Sequence, residues 1–252
     1  MIEKAQMSVA EVRRLLRGQA CAEDARILQR FFKTGPGEYG EGDVFLGVRV
    51  PAIRRVARLC GGLSLGEIRA LLHSRYHEER LLALLTMVRR FEKGDDALRQ
   101  RLFGFYLRET RFINNWDLVD LSAPQIVGGW LSRRDRSVLR TLAASADLWE
   151  RRIAVLATFA FIRAGEFGET LALCERLISD PHDLMHKACG WMLREVGKRS
   201  VETLRRFLRA HAGRLPRTML RYAIERLPEP ERKAWLAVPR RTASEPVRLE
   251  FS

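Results

Sequence analysis

The sequence predicts an all-α protein, an α-solenoid of HEAT- or armadillo-like helical hairpins that form a curved, basic concave groove. Three observations predict this fold class. Apolar residues recur with a helical period along most of the chain, helix breakers follow one another at short intervals, and related positions repeat every 35 or 36 residues. An irregular helical bundle is the alternative that these observations leave open.

The helical period is clearest in the first half of the chain. Four apolar residues there lie at i, i+1, i+4 and i+7, with arginines on the other faces: Leu81, Leu82, Leu85 and Val88. The two-residue alternation typical of a strand occurs only between Val44 and Val50, and Gly47 interrupts it. Pro51 then fits the first turn of a helix. Helices therefore dominate the prediction.

Glycine, proline and short polar clusters divide the chain into helices of roughly ten to eighteen residues. These breakers are Gly61-Gly62, Gly94-Asp95-Asp96, Gly128-Gly129, Gly165, Ser179-Asp180-Pro181, Gly213 with Pro216, and Pro228 to Pro230. We expect one helical-repeat domain over residues 1–238 and a disordered tail over residues 239–252.

The repeat is seen in the spacing of Arg80, Trp116, Arg152 and Lys187, which are 36, 36 and 35 positions apart. In stacked hairpins, such positions line one concave face. Other arginines are near these positions in the sequence: Arg151, Arg194, Arg217 and Arg221. A basic groove would suit the phosphates of duplex DNA. The alternative is that these residues are solvated helix faces of an arginine-rich protein.

Composition limits the classes of binding partner and the cellular compartments that we expect for the protein. Lys and Arg total 45 against 31 acidic residues, a net charge of +14, which makes polyanions the first expected partners. Four cysteines without a CxxC pair indicate a reducing cytosol rather than a disulfide framework. The longest apolar run, residues 153–162, is broken only by Thr158 and is too short to span a bilayer. We therefore expect no membrane association.

Two motifs that suggest ligand sites are better explained as structural. The segment Gly35–Gly40 matches GxGxxG, but no strand precedes it and its acids would repel phosphate, so we expect a turn between helices. Two histidine pairs have the i, i+4 spacing of a metal site but lack a third ligand: His73 with His77, and His182 with His186. We expect no metal site. No motif for a serine or cysteine nucleophile is present.

The segment from Asn114 to Asp120 is the most informative. An Asn can cap a helix there, and Asp117 then lies in the first turn, where the helix dipole stabilises it. Asp120 lacks this explanation and shares a face with Trp116 at i, i+4. Pro124 has no N–H for the Asp120 carbonyl, which predicts a distorted helix. A site carboxylate and an Asp paired with a neighbouring arginine are equally consistent with this pattern.

Trp191 is a second aromatic candidate. It lies one helical turn after Lys187 and one before Arg194, so the ring and the two cations share a face. The alternative is that Trp191 is a core residue.

Five segments, in this order, resemble the AlkD-like DNA alkylation repair glycosylases, and the similarity runs from about Arg26 to about Arg221. The segments are Phe31-Phe32-Lys33-Thr34, Phe45-Leu46-Gly47-Val48-Arg49-Val50-Pro51, Trp116-Asp117-Leu118-Val119-Asp120, Trp149-x-x-Arg152, and Lys187-Ala188-x-Gly190-Trp191-x-Leu193-Arg194-Glu195.

The resemblance implies a curved stack of HEAT-like helix pairs that holds duplex DNA and excises 3-methyladenine or 7-methylguanine, without necessarily flipping the base. It implies that Asp120 is the catalytic carboxylate and that Arg152 contacts a backbone phosphate. It also implies that Trp116 and Trp191 pack against the sugar of the damaged nucleotide. Phe31 and Arg49 align with positions that line the same cleft. Lys187, Arg194 and Arg217 are the further DNA-binding candidates.

The chemistry of this assignment is self-consistent. Alkylation at N3 or N7 gives the purine a positive charge, so it leaves as a neutral base and needs no general acid. A carboxylate and two indoles can stabilise the oxocarbenium-like sugar, and no cofactor is required. We expect a monomer in the cytoplasm, associated with the nucleoid through DNA. The alternatives are a non-catalytic HEAT-repeat nucleic-acid-binding protein and a protein-interaction scaffold.

Overall fold

A computed structural model describes residues 7–240. Within them, every element of secondary structure longer than an isolated bridge is a helix. The all-α prediction is therefore confirmed. The chain divides into two compact units, unit 1 (Met1–Arg134) and unit 2 (Asp135–Ser252). None of the helices in residues 7–240 is both long and apolar enough to cross a membrane. A single domain over residues 1–238 stays a prediction, and the predicted tail lies outside the described residues from 241 onward.

Unit 1 is built around one long helix, α5. Its described helices are α1 (Val9–Arg17), α2 (Ala22–Phe31), α3 (Val50–Ala57), α4 (Leu65–Leu72), α5 (His77–Lys93), α6 (Asp96–Arg108), α7 (Trp116–Asp120) and α8 (Gly129–Leu131). Residues 77–88 of α5 are buried without exception. A helix buried on all sides must be covered on all sides, and α3, α4 and α6 pack against it.

Two predicted helix boundaries in unit 1 are confirmed. Pro51 lies in the first turn of α3, where its missing N–H has no intrahelical acceptor to lose. Asp95 caps α6, because its carboxylate accepts a hydrogen bond from the Leu98 N–H at 2.8 Å.

The predicted break at Gly128-Gly129 is wrong. A π-helical turn over Pro124–Gly128 continues directly into α8, and both glycines have right-handed helical dihedral angles. A glycine lowers the stability of a helix by only about 1 kcal/mol. Burial of Ile126, Val127 and Leu131 in the core of unit 1 outweighs that cost.

Unit 2 is a succession of helical hairpins. Its described helices are α9 (Ser137–Ala143), α10 (Leu148–Ala157), α11 (Phe159–Arg163), α12 (Gly168–Arg176), α13 (Asp183–Gly197), α14 (Val201–His211), α15 (Arg217–Ile224) and α16 (Glu229–Ala237). The second helices of successive hairpins stack, α10 on α13 and α13 on α15. Arg152 and Lys187 are the fifth residues of α10 and α13, so their spacing reflects equivalent positions.

This hairpin stacking is consistent with the predicted α-solenoid. The curved, basic groove stays a prediction.

Candidate active site

Helix α7 presents Trp116 and Asp120 on successive turns of one face, and both side chains are half-buried. The side-chain oxygen of Asn115 accepts a hydrogen bond from the Trp116 N–H at 2.8 Å and so caps the helix, as predicted. The helix ends at Asp120, and Pro124 opens the π-helical turn that follows. The predicted distortion before Pro124 is therefore confirmed.

A row of aromatic rings holds the indole of Trp116. It stacks on Phe32, with ring centroids 5.0 Å apart and an interplanar angle of 15°, and it meets Phe31 edge-on at 5.9 Å. Phe32 also stacks on Phe45 at 5.0 Å. Phe31 is 62% exposed, so the row runs from the core to the surface. Stacking of this kind fixes the orientation of the indole.

Beneath α7 lies a network of buried ionisable side chains. His77 contacts Asp43 through Nδ1 at 3.1 Å and Asp117 through Nε2 at 2.8 Å. Arg80 and the side-chain amide of Asn115 both donate to Asp43 as well. Each of these side chains belongs to a residue less than one-tenth exposed. The network therefore ties α5 to the residues that begin α7.

The charges of the network balance when His77 is protonated. Burial disfavours the imidazolium, but the carboxylates of Asp117 and Asp43 outweigh this cost and raise the pKa of His77 to about 9. Burial also acts to raise the pKa of Asp43, yet His77 and Arg80 hold it below its ordinary value. At neutral pH both ring nitrogens of His77 therefore donate, one to each carboxylate.

This charge state predicts a pH dependence of stability. Because the pKa of His77 is about 9 in the folded protein and near 6.5 in a free side chain, its contribution is complete below pH 6.5. It is lost as the pH rises towards 9. We expect the unfolding free energy, measured with urea, to fall across this window in the wild type and to fall less in His77→Gln. Imidazole ¹⁵N chemical shifts that titrate near pH 6.5 would contradict the prediction.

Acidic residues at the start of α5 fix two neighbouring segments. The Glu78 carboxylate accepts hydrogen bonds from the N–H groups of Leu46, Gly47 and Val48 at 2.8–3.1 Å. Glu79 binds Arg13 and Arg17 of α1 at 2.9 and 3.3 Å. The strand-like segment is therefore a loop over residues 44–49, joined to Tyr76 by a β-bridge at Val44, and Val50 already begins α3.

Asp120 lies close to a buried phenol. The hydroxyl group of Tyr106 is hydrogen-bonded to Ser122 at 2.9 Å. Burial raises the pKa of Tyr106, the bond to Ser122 lowers it in part, and the negative charge of Asp120 raises it further. Tyr106 therefore stays neutral beside the carboxylate.

Unit 1 also contains the other two predicted cleft residues. Phe31 belongs to the aromatic row beside Trp116. Arg49 instead forms an ion pair with Asp24, with Nε 2.9 Å from the carboxylate oxygen, and remains largely exposed.

The prediction that Arg80 lines a basic face is wrong. Arg80 is 6% exposed and bonds to Asp43 and to the Ser74 carbonyl. The hydrophobic period of α5 could not reveal this, because the partner carboxylate lies 37 positions earlier in the chain.

The segment 35–40 is the structured turn that the sequence predicts. The carboxylates of Glu38 and Glu41 accept hydrogen bonds from the N–H groups of Gly35 and Gly37, both at 2.9 Å. These acids occupy the donors that a phosphate would need.

The histidine pairs have structural partners. His73 contacts Glu109 at 2.6 Å, and His77 belongs to the network under α7. His182 accepts a hydrogen bond from the Leu184 N–H, and His186 contacts the Asp180 carbonyl. No group of three or more side chains suited to a metal is found between residues 7 and 240.

In unit 2, Trp191 is half-buried on α13. Its Nε1–H donates to Glu195 at 3.2 Å, and its ring lies 6.0 Å from that of Phe159. Next to it, Gly190 lets α15 approach closely, since a Cβ there would lie 2.5 Å from that of Tyr222. The ring is therefore held by α13 and α11 rather than buried in the core.

The predicted DNA-binding cations of unit 2 all have protein partners. Arg152 is 5% exposed and donates to the Leu184 carbonyl at 2.7 Å, joining α10 to α13. Lys187 pairs with Asp183 at 2.7 Å, Arg194 pairs with Glu225, and Arg217 donates to a carbonyl of α16. Contact of these four residues with DNA stays a prediction.

Sequence reasoning considered Asn115 only as a possible helix cap and His77 only in a histidine pair, and it missed the network that joins both to Asp43. One signal could have found the network: residues 77–80 are four consecutive ionisable side chains that open a strongly apolar helix. Where such residues must be buried, they require partners of opposite charge.

The chain was compared with known proteins. The family model described as "DNA alkylation repair enzyme" matches residues 12–227. A solved structure, described as a predicted DNA alkylation repair enzyme from Enterococcus faecalis, is similar in fold with a TM-score of 0.65. The two sequences are 15% identical, and the similarity covers 84% of this chain and 98% of that one. The comparison with curated proteins gave no match. With most of its length matched by the family model, the chain belongs to the DNA alkylation repair enzyme family.

Proposed function

We propose that the protein is a DNA glycosylase that excises cationic alkylated purines of the 3-methyladenine and 7-methylguanine type from duplex DNA. One observation carries the proposal: Trp116 and Asp120 are half-exposed on one face of α7, and a buried network holds that helix in place. Membership of the DNA alkylation repair family supports it.

The proposed reaction breaks the bond between the sugar C1′ and the purine nitrogen. The electron pair of that bond leaves with the base, which is already cationic and so departs neutral. No proton donor is needed for the leaving group, unlike in ordinary glycosidases. A positive charge then develops on the sugar, and water adds to C1′ to leave an abasic site and release one proton.

Two side chains of α7 are suited to stabilising that charge. The Asp120 carboxylate supplies a negative charge, and the electron-rich face of Trp116 supplies a cation–π interaction. Because Trp116 is stacked on Phe32 before DNA arrives, little conformational freedom is lost on binding. Extrusion of the base is not required for this chemistry.

The remaining assignments rest on the resemblance or, for Lys187, Arg194 and Arg217, on the predicted basic groove. We propose Trp191 as a second aromatic group and Phe31, Arg49, Arg152, Lys187, Arg194 and Arg217 as DNA-binding residues. We also propose that the protein acts as a monomer, without a cofactor, in the cytoplasm on nucleoid DNA. The net charge of +14 supports a polyanionic partner.

The proposal predicts that the purified protein releases 3-methyladenine or 7-methylguanine from methylated duplex DNA. The test is to incubate excess enzyme with the methylated duplex and to identify the released bases by mass spectrometry. Unmethylated duplex serves as the control and should yield no base above the spontaneous rate. Tight binding of both duplexes without base release would instead favour a non-catalytic nucleic-acid-binding protein.

A further inference from the structure

The backbone at Lys33 adopts the left-handed conformation, with φ of 52°. Among residues 7–240, every other position with positive φ is a glycine. A residue with a Cβ is strained in this region, because the Cβ approaches a carbonyl oxygen. The chain therefore has a lysine in a backbone conformation that, elsewhere in the described residues, only glycines adopt.

The end of helix α2 requires this conformation. The Thr34 N–H donates to the Gln29 carbonyl at 3.2 Å, and the Lys33 N–H donates to the Arg30 carbonyl at 3.3 Å. These two bonds form a Schellman motif, in which the residue at the position of Lys33 is left-handed and is usually glycine.

The neighbouring turn fixes Lys33 from its other side. The Gly40 N–H donates to the Lys33 carbonyl at 3.0 Å. A Cβ at Gly40 would lie 2.4 Å from the Phe32 carbonyl oxygen, so the two segments are in close contact. The fold enforces the left-handed backbone on both sides, and the lysine side chain is not needed to produce it.

The lysine side chain is exposed. Within residues 7–240 it has no hydrogen bond or ion pair, whereas Lys187, Lys198 and Lys233 are all ion-paired. It directly follows Phe31 and Phe32, the two rings that contact Trp116. A strained residue with no role inside the fold, next to functional groups, indicates a role in binding.

We propose that Lys33 binds a DNA phosphate beside the lesion, next to the aromatic row that holds Trp116. This inference rests on the proposed function, because it takes duplex DNA as the ligand. A lysine binds a phosphate as a point charge and neutralises it, which releases a counterion and makes affinity depend on salt.

The test removes the charge and the strain together. Lys33→Gly should melt at a temperature no lower than the wild type, because glycine suits the left-handed backbone. Its affinity for unmodified duplex DNA should fall about eightfold at 0.1 M salt, and the slope of log K against log salt should shrink by about 0.9. Fluorescence anisotropy across a salt series measures both quantities. Lys33→Arg keeps the cation and should keep the slope.

Lys93→Gln is the matched control. Lys93 is also exposed without an ion pair in the described chain, and it lies roughly 24 Å from His77 along α5. Its slope should stay at the wild-type value. An unchanged slope in Lys33→Gly, or an equal loss in both variants, would overturn the inference.

The same measurements separate this inference from the glycosylase proposal. A reduced slope in Lys33→Gly, in a protein that releases no base from methylated DNA, supports Lys33 as a phosphate contact and refutes the glycosylase proposal. Base release from methylated DNA together with an unchanged slope in Lys33→Gly would support the glycosylase proposal and refute Lys33 as a phosphate contact.

Discussion

Asp120→Asn should lower the single-turnover rate of base release by roughly 10²- to 10³-fold, the usual effect of removing one electrostatic group that stabilises a transition state. The substitution keeps the shape of the side chain and removes its negative charge. Affinity for the methylated duplex should change little, because in the proposed reaction the carboxylate acts on a charge that appears only as the bond breaks. The rate is measured with enzyme in excess, so that product release does not limit it.

Asp96→Asn is the control for Asp120→Asn. Asp96 is an aspartate of the same unit, with a side chain 71% exposed in an ion pair with Arg134 at the surface. Its removal should leave the rate of base release at the wild-type value. If Asp120→Asn released base as fast as Asp96→Asn, the carboxylate would have no part in the chemistry, and the proposal would lose its main support.

His77→Ala should lower the free energy of unfolding by about 3–5 kcal/mol, the usual cost of removing one partner from a buried ion pair. The substitution leaves Asp117 buried without its imidazolium partner, and Asp43 keeps only Arg80 and Asn115. Urea or guanidinium unfolding measures the loss.

His73→Ala is the control for His77→Ala. His73 also contacts a carboxylate, that of Glu109, but its side chain is 36% exposed. We expect a loss of about 1 kcal/mol or less, as for exposed ion pairs. Equal losses in the two variants would mean that burial does not strengthen the contacts of His77.

Local patterns in the sequence were sufficient where a structure depends on neighbouring residues. The start of α3 at Pro51, the cap of α6 by Asp95 and the end of α7 before Pro124 each follow from the chemistry of one or two residues. The spacing of Trp116 and Asp120 likewise places them on one face of a helix. These predictions needed no knowledge of the rest of the chain.

The predictions that failed, and the network that was missed, depend on partners distant in sequence. His77 contacts residues 34 and 40 positions away, and Arg80 contacts Asp43 across 37 positions. A helical period shows that a residue is buried or exposed only on average, and an arginine is usually solvated. Which carboxylate reaches it is decided by tertiary packing, for which a single sequence holds no local signal.

The contacts of the first turn of α5 determine how this part of unit 1 unfolds locally. Residues 77–80 connect in turn to α7, to the loop 46–48, to α1 and to Asp43. None of these segments can open alone without leaving a buried charge uncompensated, so we expect them to unfold together. The segment that presents Trp116 therefore behaves as part of a cooperative foldon, rather than as an independent flap over the rest of unit 1.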